Sequence, residues 1–207
     1  MTTHSSLFQK IQATQVSLAS PPGTVMHAVA MGDRALEVMT DFKQRIPITV
    51  NGDFAISQAL GIMMHSGVRL LFVLDASSRL MGLISSYDIQ SEKPLRYLQS
   101  IGCTHKTCRH DDVRVSDIME PIDNWQSFSF ADVCRATVGD IVSTFKSTGR
   151  RHLVVMEPVD APTKYEVRGL FSATQVGKQL GMAIELGGKV STFAELEEAL
   201  NGNHPPM

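Results

Sequence analysis

The hydrophobic pattern is organised around Gly67 to Ile89, GVRLLFVLDASSRLMGLISSYDI. Leu70 to Leu74 is a continuous apolar run of strand length. Asp75 to Arg79 is a turn cluster, and Leu80 to Ile84 predicts a second strand, interrupted by Gly82. Ser85-Ser86-Tyr87-Asp88 falls where the chain leaves that strand for a helix. Upstream, ALEVMT (Ala35 to Thr40) predicts a short helix, and Ile46 to Val50 a strand whose Pro47 suits an edge or a strand start. Asn51-Gly52 turns the chain, with Asp53 as N-cap of the next helix. Ala55, Ile56, Ala59, Leu60, Met63 and Met64 share one face of that helix, and Gly67 ends it as a left-handed cap. Ile89 to Ile101 predicts a helix interrupted near Pro94.

The pattern then returns. Val115 to Glu120 predicts a helix stopped by Pro121, and Ser127 to Phe130 stands in for the first strand. Thr137-Val-Gly-Asp140 is a capping box opening a helix that Gly149 ends. His152 to Met156 and Val167 to Phe171 form a second strand pair. Gln175 to Ala183 predicts a helix, and Thr192 to Leu200 a last amphipathic one. Gly149 follows Gly67 by 82 residues and Gly169 follows Gly82 by 87, so five extra residues lie in the second turn, within Pro158 to Tyr165. Turns absorb such changes cheaply. The division expected is an arm at 1–30, a first copy at 31–101, a linker at 102–112, a second copy at 113–184, and a C-terminal helix and tail at 185–207. The arm is either partly disordered or packed on a partner. A copy of about 60 residues is marginal alone, so the two are expected to pack as a pseudo-two-fold pair. The fold class is α+β, each copy a small, mainly three-stranded sheet with helices.

Composition narrows the function. With 43% apolar and 19% charged residues the chain has the composition of an ordinary soluble globule. A net charge of −2 and no helix with a basic stripe argue against nucleic acid. No run approaches the ~18 apolar residues of a membrane span, and the first ten residues do not read as a secretory signal. Three cysteines, Cys103, Cys108 and Cys134, fit a reduced cytoplasmic setting. There is no phosphate loop, dinucleotide glycine fingerprint, nucleophile elbow or His-Glu-x-x-His, so no enzyme is expected.

The order and spacing of ALEVMT, ITV, ISQALGIMMHSG and LLFVLDASSRLMGLISSYDI, then VSDIME, TVGDIVSTFKSTG, RHLVVME and VRGLFSATQV, resemble the tandem CBS-domain (Bateman) family over about residues 35–90 and 115–182. The resemblance implies a homodimer of disc-like pairs. Clefts between the copies would hold an adenine nucleotide (AMP, ADP or ATP) or S-adenosylmethionine. A hydroxyl at a strand end before a helix N-terminus suits a phosphate, and an acid three residues on suits a ribose. Carried over, Ser85 would lie near phosphate, Asp88 at the ribose, and Ile46, Pro47 and Ile48 along the base. In the second copy Ser172 remains, but Gln175 replaces the acid, so one strong cleft is expected. Arg69, Arg150 and Arg151 are the candidates to reach phosphate.

Each residue also has a plainer reading. Ser85 is equally a helix cap, Asp88 an acid at a helix N-terminus, the arginines solvated or ion-paired, and His152 a structural histidine at a strand start. The methionines read as adaptable core filler. Cys103, His105, Cys108 and His110 lie within eight residues. They are a polar linker or a transition-metal site shared with a second subunit, or else either cysteine is a redox-sensitive thiol. The function expected is a stand-alone regulatory module that senses an adenosine-type ligand and signals to a protein effector. The rivals are a metal- or redox-responsive protein and a structural module with vestigial clefts.

Overall fold

The structure is a computed structural model, and it describes residues 28–103, 108–159 and 161–186. Most of the arm and the Thr192 to Leu200 segment lie outside them.

Two four-stranded sheets are built on one plan. In the first, β2 (Thr49–Asn51) runs parallel to β3 (Leu70–Leu74) with α1 (Ile56–Ser66) between them, and β4 (Leu80–Ser85) returns antiparallel to β3. In the second, β6 (Ser127–Ser129) is parallel to β7 (His152–Val159) across α5 (Phe130–Val133) and α6 (Val138–Thr148), and β8 (Ala161–Ser172) returns antiparallel. Each β-hairpin leads into a helix: α2 (Ser86–Gln90) then α3 (Lys93–Ser100) in the first copy, α7 (Ala173–Leu180) in the second.

The fourth strand of each sheet comes from the other copy. β1 (Thr40–Asp41) pairs with β8, and β5 (Glu120–Pro121), which follows α4 (Val115–Ile118), pairs with β4. The cores are exchanged in the same way. Ala35 and Val38 pack among Val138, Ile141, Phe145 and Phe171 of the second copy. Val113, Val115 and Ile118 pack among Ile56, Met63, Leu71 and Ile84 of the first. Each packed layer therefore combines segments of both copies, and three strands from one copy are joined by a fourth from the other. Periodicity reports which residues are apolar, and it carries no information about which neighbour buries them.

Glycine allows the exchange. A Cβ on Gly82 would lie 2.3 Å from the Glu120 carbonyl oxygen, and one on Gly169 would lie 2.8 Å from that of Thr40. The interruption of the second strand run is thus where the foreign strand crosses. Arg168 fastens β1 to its host sheet: it bonds the Asp41 carboxylate, lies 3.0 Å from Glu157 Oε2, and stacks on the Phe130 ring.

Alternation along the strands decides how the layers stack. Leu71 and Val73 face the helices, whereas Leu70 and Phe72 join Leu83 and Val154 in a third cluster between the two sheets. Both faces of β3 are buried, which is why LLFVL shows no polar alternation.

Several element expectations change. Ala35–Val38 is one turn of 3-10 helix, because Thr40 and Asp41 are drawn into β1. Only Thr49–Asn51 is strand where Ile46 to Val50 was expected. Helix α1 starts after Ala55, whose N–H donates to Gln58 Oε1 at 3.0 Å, so Asp53 is not its cap. Helix α7 begins at Ala173, two residues before its expected start. Gly67 (φ 66°) and Gly149 (φ 65°) are left-handed caps, as the pattern predicts.

Candidate functional site

The ends of β4 and β8 are equivalent positions, and each opens a helix at a cleft. At the first, Ser85 and Asp88 form a closed capping box. Asp88 Oδ2 accepts from the Ser85 N–H at 2.8 Å and from Ser85 Oγ at 2.6 Å, while Ser85 Oγ accepts from the Asp88 N–H at 3.3 Å. The other carboxylate oxygen is paired with Lys93. Ser85 is buried. The acid is therefore committed to its own helix and to Lys93. At the second end, Ser172 makes no side-chain cap bond, because Gln175 stands at the third helical position where the first copy has Asp88.

The two clefts divide the expected site residues differently from the expectation. Ser85, Asp88, Arg150 and Arg151 line a small cleft of about 190 Å³, with Tyr87, Glu120 and Trp125. Ile46, Pro47, Ile48 and Arg69 line a larger cleft of about 590 Å³, together with Ser172 and Gln175. The expected grouping of Ile46–Ile48 with Ser85 and Asp88 is thus corrected. Because the leading segments are exchanged, the segment before the first sheet meets the end of the second. Small-molecule sites run from about 300 to 1,000 Å³, which the larger cleft meets and the smaller does not.

The small cleft is also electrostatically occupied. Arg150 Nη1 donates to Glu120 Oε1 at 2.7 Å and Nη2 to the Asn124 carbonyl at 3.4 Å. The Arg151 guanidinium lies over the Tyr87 ring at 4.0 Å. These contacts match the plainer reading of both arginines better than a phosphate role.

The larger cleft is of a different kind. Its lining carries Arg45, Arg69 and Lys178 and no carboxylate. One wall is apolar, from Phe42, Ile46, Pro47, Ile48, Leu70, Phe72 and Leu170. Hydroxyls of Thr40, Ser172 and Thr174 and the amide of Gln175 supply polar groups. All three cations are exposed, as are Thr174 and Gln175. Sequence reading missed Arg45 and Lys178. The first is adjacent to Ile46-Pro47, and the second is three residues from Gln175, on the same face of α7.

A single partition separates the clefts. His152 lines both. Beside it, Arg69 Nη1 lies 3.1 Å from the hydroxyl of Tyr87, the ring on which Arg151 stacks. Although a fraction of its surface reaches the clefts, His152 is densely surrounded by protein, and burial pushes its imidazole down to about 4. The Arg151 and Arg69 charges act in the same direction and Asp88 opposes them. The unfolded chain takes up this proton near pH 6.5, while the folded chain resists until about pH 4. Stability that is fully present above pH 6.5 is therefore lost as pH falls through that interval. The expected loss is on the order of 3 kcal/mol, and His152→Gln abolishes it. Urea unfolding at pH 7 and pH 4.5 measures it, and equal pH dependence in both proteins would contradict the assignment.

Cys103 and Cys108 are joined in a disulfide. This corrects the expectation of reduced thiols for two of the three cysteines and removes both thiolates from any metal site in this state. His105 lies outside the described residues, and His110 is in a short turn with Asp111 and Asp112. Among the described residues no group of three metal-ligating side chains converges, and no helix is long and apolar enough to cross a membrane.

Comparison with known proteins agrees with this architecture. Residues 35–93 match the family model of the CBS domain. An uncharacterized conserved protein from Pyrococcus horikoshii is 16% identical, with 76% of this chain and 98% of that chain covered and a TM-score of 0.50. A CBS-domain-containing protein from Agrobacterium tumefaciens is 17% identical over 72% of this chain and 94% of that one, at 0.48. CBSX2, solved in complex with AMP, is 17% identical over 71% and 95%, at 0.46. No curated protein matches by sequence. The family model covers the first copy, and the second copy repeats its topology.

Proposed function

We propose that this chain is a tandem CBS pair, a regulatory module that binds an adenine nucleotide in the larger cleft and passes its occupancy to a protein effector. One observation carries the reading: three cations and no carboxylate line a 590 Å³ cleft that has an apolar wall, in a chain whose net charge is −2. Local placement, and not overall charge, makes the site attractive to anions. The apolar segment Ile46–Ile48 suits the face of a base. Arg69, Arg45 and Lys178 suit phosphates, with the start of α7 adding its dipole. The same charge pattern disfavours S-adenosylmethionine, whose sulfonium and ammonium groups would face cations.

A ligand there would touch the first copy through Ile46–Ile48 and the second through Ser172–Lys178. It would therefore favour whichever relative arrangement of copies it fits better, and shift the population toward it. A homodimer of such pairs, a cytoplasmic setting and the absence of catalysis belong to the same proposal. Calorimetric titration with AMP, ADP, ATP and S-adenosylmethionine tests it. The phosphate-bearing ligands are expected to bind at micromolar concentrations and the sulfonium compound not at all. Binding of S-adenosylmethionine alone, or of none of the four, overturns it.

A further inference from the structure

We propose that His152 is an anion-responsive residue shared by both clefts, which takes up a proton when a nucleotide occupies the larger one. The inference rests on the nucleotide reading above and adds a regulatory variable to it.

His152 opens β7 directly opposite Ser172 of β8, and so stands at the strand end where the larger cleft meets α7. It is also part of the lining of the small cleft beside Asp88. It belongs to both sides of the partition. The charged groups around it come from every adjoining element. Asp88 of α2, Arg69 before β3 and the neighbouring Arg151 act on it directly. Glu120 and Arg150 complete the small cleft, and Arg45 and Lys178 the large one.

In the unliganded protein this set holds the imidazole neutral. Burial disfavours its charge and two guanidiniums reinforce the effect, against one carboxylate. A phosphate in the larger cleft reverses the balance. It offsets Arg69 and the other cations, and it places negative charge against the imidazole at the cleft wall. At an effective dielectric of about 20, one charge at about 4 Å is worth several pH units of proton affinity. The imidazole gains a proton from solvent, becomes a donor at both ring nitrogens, and presents a cation to the small cleft and Asp88. Nucleotide binding should therefore strengthen as pH falls, and the small cleft should register that the large one is filled.

The test compares AMP affinity of the wild type and His152→Gln by calorimetry at pH 8 and pH 6. Titration of AMP itself is common to both proteins, so the ratio of their affinities isolates the histidine. If bound AMP lifts the imidazole to about 7, the ratio of wild-type to variant affinity rises about tenfold between pH 8 and pH 6. The imidazole resonances of the wild type give a second readout should the variant fail to fold: the His152 midpoint is expected to move up from near 4 to about 7 when AMP is added. A constant ratio, or a midpoint that stays low with AMP bound, overturns the inference while leaving nucleotide binding intact. Absence of AMP binding overturns both.

Discussion

Gly82→Val is expected to be the most destabilising single substitution in the first sheet, at a cost of about 3 kcal/mol or more. The cause is a backbone contact. The new Cβ would stand 2.3 Å from the Glu120 carbonyl oxygen and 3.1 Å from its carbonyl carbon and from Pro121 Cα. No rotamer relieves a clash at Cβ, so β5 must lift away from β4. With it goes the segment that brings Val113, Val115 and Ile118 into the first core. Gly169→Val acts at the equivalent place on the second sheet, against Thr40, with a smaller effect because part of its contact is the flexible Met39 side chain. Urea unfolding measures both. A loss below about 0.5 kcal/mol for Gly82→Val, typical of neutral surface changes, would mean the strand exchange does not hold the sheet together.

The second large effect concerns the ligand. Arg45→Glu and Lys178→Glu each reverse a charge on an exposed side chain of the larger cleft. Neither residue belongs to a buried core cluster, so the fold should persist. Each reversal replaces an attraction to phosphate with a repulsion, worth about 2 kcal/mol for partly solvated groups, or some thirtyfold in AMP affinity. The effect should shrink in high salt, since these charges are accessible to counterions. Asp88→Asn is the control. It removes a carboxylate that caps α2 and pairs with Lys93, and is expected to cost about 1 kcal/mol of stability while leaving AMP affinity unchanged at pH 8, where the His152 imidazole stays neutral in both states. Calorimetry at low and high salt, with unfolding curves for each protein, separates the two outcomes. Unchanged AMP binding in both reversal variants would contradict the assignment of the cleft.

Much of the fold was legible in the sequence because the repeat is written in local signals. Gly67 and Gly149 mark helix ends by their left-handed backbone, and Thr137 and Asp140 declare a capping box that the structure contains. The site was legible only in part, and for a definite reason. Ile46–Ile48, Ser172 and Gln175 were each singled out, but Ile46–Ile48 was grouped with the end of β4, whereas it lines one cleft with the end of β8. The pairing depends on which sheet each leading segment joins, a long-range choice encoded in shape at Gly82 and Gly169. Asp88 misled for a related reason. An acid three residues after a serine is the pattern of a capping box as well as of a ribose site, and here the box is closed by three hydrogen bonds. Gln175, read as a loss, leaves the second strand end uncapped and free of negative charge. Arg45 and Lys178 carried no motif, and only the fold brings them to one cleft.

The most direct test is a crystal structure of the protein with AMP. The ligand is expected in the larger cleft, its base against Ile46–Ile48 and its phosphate toward Arg69, Arg45 and Lys178. AMP beside Ser85 and Asp88, with Arg150 released from Glu120, would contradict it.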